Sequence, residues 1–252
     1  MKAADIVQQL DLEDIHIVSV VGSGLSKASG MPTFRGKDGL WKTYSALDLA
    51  TPQAFKKDPN LVWNWYKWRM QALLTAKPNP GHDALVKLEK MGLSLGIITQ
   101  NVDGLINFGN SSEHIVEIHG RIRYAHCTKC DHIQRWDSHE YAVADDSLLY
   151  CPYCKDALLR PDVVWFGESI NPKHLQKAMN WIERSTIMLV IGTSGTVYPV
   201  ANFPHIAKQQ GTTLIEFNVT RTPLTPICDY FMRGPSEQTL PKFVDALLSK
   251  KV

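Results

Sequence analysis

Four of the five cysteines stand in two pairs with the same internal spacing. Cys127 and Cys130 form the first pair, Cys151 and Cys154 form the second, and 20 residues lie between the pairs. Two such pairs at this distance supply four thiolates for one tetrahedral zinc ion, as in zinc ribbons. Because four thiolates complete the coordination, we predict a structural zinc ion and not a catalytic one. Two disulfides or a redox dithiol are the alternatives for the pairs taken alone.

A glycine-rich turn follows the first strand-like run. The apolar residues 17–21 are followed directly by Gly22, Ser23 and Gly24. Glycines at the end of a parallel strand let the main chain approach a pyrophosphate, whose charge then lies at a helix N-terminus. Lys27 stands where the dinucleotide fingerprint has its third glycine. The turn therefore indicates phosphate binding, and a tight strand-to-helix turn without a ligand is the alternative.

Polar clusters follow other apolar runs at the point where each run ends. They are residues 99–104, His119 with Gly120, residues 192–195 and Asn218. Each cluster alone is compatible with capping or turn chemistry. Parallel strands bring their carboxyl ends to one edge of a sheet, where doubly wound proteins bind ligands. We therefore expect the clusters to line one crevice.

The elements that would position these residues alternate between strand and helix. Apolar runs at 17–21, 93–99, 186–191 and 212–217 are separated by helical patterns, which predicts an α/β fold with a doubly wound, mostly parallel, Rossmann-like sheet. Two segments interrupt the alternation, one with a tryptophan-rich helix at 61–76 and one with the cysteine pairs. We expect residues 31–79 and 121–160 to form a smaller domain, part helical and part zinc ribbon. The sheet domain would comprise residues 1–30, 80–120 and 161–252.

Composition narrows the class of protein further. The chain has 252 residues, 44% of them hydrophobic and 21% charged, with a formal net charge of +2. This near-balance argues against a strongly basic nucleic-acid-binding surface. No apolar run approaches the roughly 20 residues that a membrane span needs, and no secretory signal is visible near Met1. We expect a cytoplasmic protein without a membrane segment.

The motifs also occur in an order that is known from one family. GSGLSKASGMPTFR at 22–35 is followed by TQNVD at 99–103, His119-Gly120, the four cysteines, VVWFGE at 163–168, GTS at 192–194 and Asn218. Together, over about residues 15 to 235, they resemble the signature of the sirtuins, the NAD-dependent protein lysine deacylases. The desuccinylase-type and bacterial members are the most similar. The resemblance implies that the larger domain binds NAD and that acyl-lysine proteins or peptides are the substrates.

The resemblance implies a set of NAD contacts along the sheet edge. The glycine turn would hold the pyrophosphate, and the main chain around Cys228 would lie against the adenine. Phe34 would cap the nicotinamide pocket, and Asn101 with Asp103 would hold the nicotinamide end in its reactive pose. The residues matched to cofactor binding are Gly22, Ser23, Gly24, Ser26, Pro32, Phe34, Arg35, Gln100, Asn101, Asp103, Gly192, Thr193, Ser194, Asn218 and Cys228.

The same resemblance implies the catalytic groups and the peptide-binding segment. His119 would be the general base, which takes a proton from a ribose hydroxyl after nicotinamide has left, and Asn101 would assist. Histidine suits this role because its ordinary pKa of about 6.5 lies near working pH. Val163, Val164, Phe166 and Gly167 match the strand that pairs with the substrate main chain. A structural histidine and an ordinary core strand are the alternatives.

A tyrosine and an arginine three residues apart point to the acyl group. Tyr66 and Arg69 share one helix face, and sirtuins that remove succinyl and malonyl groups carry this pair together with a small residue that matches Ala50. The arginine fork would bind a terminal carboxylate and the tyrosine would add a hydroxyl donor. We therefore expect desuccinylation beside deacetylation. The alternative is an amphipathic helix whose tyrosine and arginine reach the surface.

Two other functions compete with deacylation. A mono-ADP-ribosyltransferase would use the same NAD site. A zinc-ribbon nucleic-acid-binding module would need a basic stripe near the cysteines. Arg121, Arg123 and Lys129 stand there against Asp131 and Asp137. The charges are mixed, and direct nucleic-acid binding is therefore not expected.

Overall fold

The computed structural model describes residues 2–35, 39–137 and 148–251. Of residue 251 it describes the main chain only. The helices are α1 (Ala3–Gln9), α2 (Ala46–Leu49), α3 (Pro52–Lys57), α4 (Pro59–Thr75), α5 (Pro80–Lys90), α6 (Pro172–Arg184), α7 (Phe203–Gln209) and α8 (Ser236–Lys251). The strands are β1 (Ile17–Val21), β2 (Ser94–Thr99), β3 (Ile115–Glu117), β4 (Gly120–Cys127), β5 (Ile133–Arg135), β6 (Leu159–Val163), β7 (Ile187–Ile191), β8 (Thr213–Asn218) and β9 (Tyr230–Arg233).

The larger sheet has six strands in the order β3-β2-β1-β7-β8-β9, and every neighbouring pair is parallel. The chain runs outward from β1 to β2 and β3 on one side and from β7 to β9 on the other. Strand order therefore reverses between β1 and β7, and a crevice opens there at the carboxyl edge. The predicted doubly wound fold is confirmed.

Both faces of this sheet are covered by helices. One face packs against α1, α5 and α8, with Leu85 and Phe243 among the buried residues. The other face packs against α6 and α7, with Ile182 and Phe203 buried. In β1 neighbouring side chains point to opposite faces and all five residues are buried, so four of them are apolar without alternation and only Ser19 is polar.

Several helices begin at a capping residue followed by proline. Thr51 caps α3, Asp58 caps α4, Asn79 caps α5 and Asn171 caps α6, and each side-chain oxygen accepts a hydrogen bond from an N–H of the first turn. Proline at the first helical position has no N–H to satisfy and is already set at a helical φ. The capped N-termini of α3, α4 and α5 determine where the chain changes direction within the segment 31–79 and at its return to the sheet.

A second, antiparallel sheet has the order β5-β4-β6 and carries the four cysteines at its end. The tryptophan-rich α4 packs on it: Trp63 donates through Nε1 to the carbonyl oxygen of Leu159 at 3.0 Å and meets Trp136 edge-on at 5.0 Å between ring centroids. The two interrupting segments thus share one hydrophobic cluster. Within the described residues no helix has both the length and the hydropathy to cross a bilayer.

The glycine turn leads into a short 3-10 helix, Lys27–Ser29, which Gly30 ends in the left-handed conformation (φ +89°). One local expectation was wrong. The substrate-pairing segment 163–168 is not one strand: β6 ends at Val163 and the following residues are irregular. The N–H groups of Val164 and Phe166 donate to the carbonyl oxygens of His119 and Ala50.

Candidate active site

A cavity of about 1170 Å³ lies where the carboxyl edge of the large sheet faces the smaller unit. It exceeds the roughly 300–1,000 Å³ of most small-molecule pockets, and so has room for a dinucleotide together with a second substrate. Most of the residues expected in the site line it: Gly22, Ser23, Gly24, Phe34, Arg35, Ala50, Tyr66, Arg69, Gln100, Asn101, His119, Val163, Val164, Phe166, Gly167, Gly192, Thr193, Ser194 and Asn218.

The floor of the cavity is made by two turns in contact, one after β1 and one after β7. Gly24 donates its N–H to the carbonyl oxygen of Gly192 at 2.9 Å. A Cβ on Gly24 would lie 2.7 Å from the Cα of Gly192, and a Cβ on Gly22 would lie 2.7 Å from the Gly192 oxygen. Only glycine permits this approach, which leaves a main-chain surface of the kind that a pyrophosphate can contact.

Asn101 and Gln100 tie the end of β2 to those turns. Asn101 donates through Nδ2 to the carbonyl oxygen of Gly22 at 3.1 Å and to Ser26 Oγ at 3.2 Å. Gln100 donates through Nε2 to Thr193 Oγ1 at 2.9 Å. Because both contacts of the Asn101 amide use its nitrogen, the Oδ1 atom remains as an acceptor at the cavity wall.

His119 is held by one hydrogen bond that determines its tautomer. Its Nδ1 lies 3.2 Å from the carbonyl oxygen of Gln100. A carbonyl can only accept, so Nδ1 carries the proton, and Nε2 keeps a lone pair in the neutral ring. Burial lowers the pKa of His119, and the Gln100 contact opposes that only in part. The imidazole is therefore neutral at pH 7 and can act as a base.

Tyr66 and Arg69 form a buried donor pair on α4. Arg69 is 5% exposed, and its guanidinium lies 4.8 Å from the ring centroids of both Phe34 and Trp65. Its Nε has no hydrogen-bond partner in the described part of the chain. Burial lowers its pKa and raises that of Tyr66, yet an arginine stays charged. Among the described residues no carboxylate forms an ion pair with Arg69, and only Asp103 acts on it at longer range. A buried cation in this setting suits a negatively charged ligand.

The segment after β6 joins His119 to the side of the cavity that carries Ala50, Tyr66 and Arg69. Val164 donates its N–H to the carbonyl oxygen of His119, and Phe166 donates its N–H to that of Ala50, each at 2.9 Å. Gly167, at φ +88°, then turns the chain away. The segment therefore lies between the base and the wall that carries Ala50.

Some expected contacts lie behind the wall. Ser26, Pro32, Asp103 and Cys228 are not among the lining residues. Ser26 accepts from Asn101, and the Asp103 carboxylate accepts from the N–H of Leu105 at 2.9 Å, so both support the wall from inside. Cys228 is half-buried, and burial raises the pKa of its thiol to about 12, which agrees with a small apolar residue and not with a reactive thiol.

Other lining residues were not found from the sequence. Trp41 stacks on Trp65 at 5.6 Å between ring centroids and lines the cavity. Arg221 lines the far end, three residues after Asn218. A polar loop after β8 was the available signal for Arg221, whereas nothing in the local sequence places Trp41 at a cavity.

The four cysteine sulfurs lie within 4.8 Å of one another. Cys127 Sγ is 3.9 Å from Cys154 Sγ, and Cys130 Sγ is 3.8 Å from Cys151 Sγ. A tetrahedral zinc ion with bonds of about 2.3 Å sets its sulfurs about 3.8 Å apart. All four are free thiols, so the donor set fits one structural zinc ion, which the cluster binds.

Fold and site together define a Rossmann-like nucleotide-binding protein with a zinc-ribbon unit. A model of the Sir2 family matches residues 22–199. The NAD-dependent protein deacylase of Pyrococcus furiosus is 46% identical over 233 residues, which cover 91% of this chain and 92% of that protein. The deacylase of Aquifex aeolicus is 41% identical over 241 residues, 95% and 98% of the two chains.

Solved structures give the same result. A Sir2 homologue in complex with NAD has a TM-score of 0.88 and 43% identity, covering 95% of this chain and 92% of its own. Sir2Af2 bound to a myristoylated histone peptide has a TM-score of 0.78 and 27% identity, covering 99% and 96%. The chain belongs to the Sir2 family, whose members include the sirtuins that its motifs resemble.

Proposed function

We propose that this chain is an NAD-dependent protein lysine deacylase, which converts acyl-lysine, NAD and water into lysine, nicotinamide and O-acyl-ADP-ribose. The observation that carries this proposal is the position of His119. Its neutral imidazole lines a cavity shared by the glycine turn and by the segment 163–167, so that one base serves a nucleotide and a peptide together. The deacylases and the NAD complex among its relatives support the same activity.

NAD fits the larger part of the cavity. The contact between Gly24 and Gly192 leaves main chain where the pyrophosphate would lie, and Asn101 offers Oδ1 to the nicotinamide end. Arg35 and Asn218 would contact the phosphate and adenosine sides. When bound, NAD supplies the ADP-ribosyl group that receives the acyl group as nicotinamide leaves. We assign its binding to residues 1–30, 80–120 and 161–252, beside a smaller domain of 31–79 and 121–160.

His119 would move one proton in this reaction. Its Nε2 accepts the proton of a ribose hydroxyl, which makes that oxygen a nucleophile toward the acyl carbon. The bond from Nδ1 to Gln100 keeps Nε2 free and helps to stabilise the positive charge that protonation creates. Burial lowers the pKa of His119, which keeps Nε2 unprotonated at neutral pH.

The acyl-lysine would enter along the segment 163–167. The irregular main chain after Val163 leaves room for an added extended peptide, a mode in which main-chain hydrogen bonds give affinity for varied sequences. Relatives bound to a myristoylated histone peptide and to a p53 peptide use peptide substrates. We expect acyl-lysine proteins or peptides to bind here.

We further propose that succinyl and malonyl groups are preferred over acetyl. Arg69 is a buried cation whose Nε finds no hydrogen-bond partner among the described residues, and Tyr66 stands beside it on α4. A terminal carboxylate would satisfy both, whereas the methyl of an acetyl group would leave both unpaired. A site built for a hydrogen-bonding group discriminates strongly against an analogue that lacks it.

A deacylation assay tests this function. Two peptides of the same sequence, one succinylated and one acetylated on the same lysine, are incubated with the enzyme, with and without NAD. The free-lysine peptide is quantified by chromatography. We expect NAD-dependent release from both peptides and a higher kcat/KM for the succinyl peptide. Release that is independent of NAD would overturn the function, and equal kcat/KM values would overturn the acyl preference.

A further inference from the structure

Trp165 connects the peptide-binding segment to the acyl pocket. Its indole Nε1 lies 2.9 Å from the hydroxyl oxygen of Tyr66, 99 residues away along the chain. Both side chains are buried, Trp165 at 2% and Tyr66 at 3% exposure. The hydrogen bond therefore forms without competition from bulk water.

The direction of this hydrogen bond is fixed by chemistry. An indole N–H can only donate, so the Tyr66 oxygen accepts, and the hydroxyl proton must point elsewhere. No acceptor for that proton is found within the described residues. Tyr66 lines the cavity next to Arg69, whose guanidinium lies 5.7 Å from the Tyr66 ring centroid.

Trp165 is itself held on two sides. Its ring lies under the guanidinium of Arg160, with 3.4 Å between Cζ and the ring centroid. The main-chain N–H of Trp165 donates to Glu168 Oε2 at 2.8 Å. Arg160 donates through Nη2 to the same Glu168 oxygen at 2.9 Å and to the Val163 carbonyl at 2.8 Å. The Arg160–Glu168 ion pair thus contacts both the indole ring and the main chain of Trp165, which restricts rotation of the Trp165 side chain.

We propose that Trp165 is a positioning residue for acyl selectivity: by donating to the Tyr66 oxygen, it directs the Tyr66 hydroxyl proton into the cavity as a donor for a terminal carboxylate. The inference rests on the acyl preference proposed above. Trp165 acts through Tyr66, so its contribution falls on succinyl-lysine and not on acetyl-lysine. The segment that binds the peptide thereby also sets the chemistry of the acyl pocket.

A double-mutant cycle tests the proposal. The ratio of kcat/KM on succinyl and acetyl versions of one peptide is measured for the wild type, Trp165→Phe, Tyr66→Phe and the double variant, at saturating NAD. Trp165→Phe keeps an aromatic ring under Arg160 and removes the indole N–H that donates to Tyr66. We expect it to lower the ratio roughly tenfold, the loss expected for one buried hydrogen bond. In the Tyr66→Phe background it should lower the ratio no further.

Two further variants control for effects on folding and for the loss of a tryptophan elsewhere on the helix. Trp68→Phe is the matched control, since Trp68 lies on the same helix as Tyr66, is 43% exposed and does not line the cavity; its ratio should equal that of the wild type. If Trp165→Phe folds poorly, site-specific replacement of Trp165 by the benzothiophene analogue of tryptophan removes the N–H with almost no change in shape, and the same loss is expected.

The outcomes separate this inference from the proposed function. A wild-type preference for succinyl-lysine with equal losses on both peptides in Trp165→Phe would overturn the inference and leave the acyl preference standing. The inference would also be overturned if Trp165→Phe and Tyr66→Phe lowered the succinyl-to-acetyl ratio independently, so that their two losses multiplied in the double variant. A wild type that is indifferent to the acyl group would overturn the acyl preference and this inference together, but not NAD-dependent deacylation.

Discussion

His119 donates a hydrogen bond from Nδ1 to the carbonyl oxygen of Gln100, 3.2 Å away. Gln100 is also bonded through its side chain to Thr193, in the turn after β7. One residue at the end of β2 thus orients the base and contacts the nucleotide side of the cavity. The position and tautomer of His119 therefore follow from residues at the carboxyl edge of the sheet.

Replacement of the base should abolish deacylation and leave the earlier chemistry. In His119→Ala, kcat for deacylation should fall by about 10³, within the usual range for removal of a general base. Exchange of labelled nicotinamide into NAD in the presence of acyl-lysine peptide should persist, because the base acts after nicotinamide leaves. Retained turnover in this variant, with unchanged thermal unfolding, would remove His119 from the role of base.

The pH profile should report the lowered pKa of His119. Burial disfavours the imidazolium, so the folded-state pKa lies below the ordinary value of about 6.5. The rate of deacylation at limiting substrate should stay high at pH 7 and fall only as pH drops through that lower pKa. An acid limb with an apparent pKa above about 6.5 would contradict a neutral, buried base.

The same shift affects stability with a definite sign. Below about pH 6.5 the unfolded chain binds a proton at His119 before the folded chain does, so stability falls as pH falls through this range. The loss should be smaller in His119→Ala, as measured by denaturant unfolding at pH 7 and pH 5.5. Identical pH dependence in the two proteins would show that the imidazole is not buried in its neutral form.

Removal of the arginine should act on one acyl group only. Arg69→Met should lower kcat/KM for succinyl-lysine by about 10- to 100-fold, the usual value of a hydrogen-bonded charge, and should change that for acetyl-lysine little. Thermal unfolding in the absence of ligand should show no loss of stability, because the substitution removes a buried cation whose Nε has no partner in the described parts of the chain. Equal losses on both peptides would contradict a carboxylate-binding arginine.

Loss of zinc should destabilise the smaller sheet. Metal analysis should give one zinc ion per chain in the wild type and almost none in Cys130→Ser, with a Tm lower by roughly 10 °C, as a loss of about 4 kcal/mol predicts for a chain of this size. Cys228→Ser is the matched control and should keep its zinc, since Cys228 is not part of the sulfur cluster. Full zinc content in Cys130→Ser would contradict the four-thiolate site.

Local patterns predicted the parts of the fold and site that depend on neighbours in the chain. The cysteine spacing indicated the metal cluster, and apolar runs at β1 and β7 located the strands because both faces of the sheet are covered. The bond between Trp165 and Tyr66 spans 99 residues, and the closeness of Gly24 to Gly192 depends on the pairing of β1 with β7. No local pattern encodes such contacts, which is also why Trp41 was missed.

The nucleotide product of the reaction tests the central claim most directly. The enzyme is incubated with NAD and a succinyl-lysine peptide. The masses of the nucleotides, the peptide and the intact protein are then measured by mass spectrometry. The account predicts O-succinyl-ADP-ribose and nicotinamide in equal amounts with the free-lysine peptide. ADP-ribose attached to protein, with the peptide still acylated, would contradict it and indicate an ADP-ribosyltransferase.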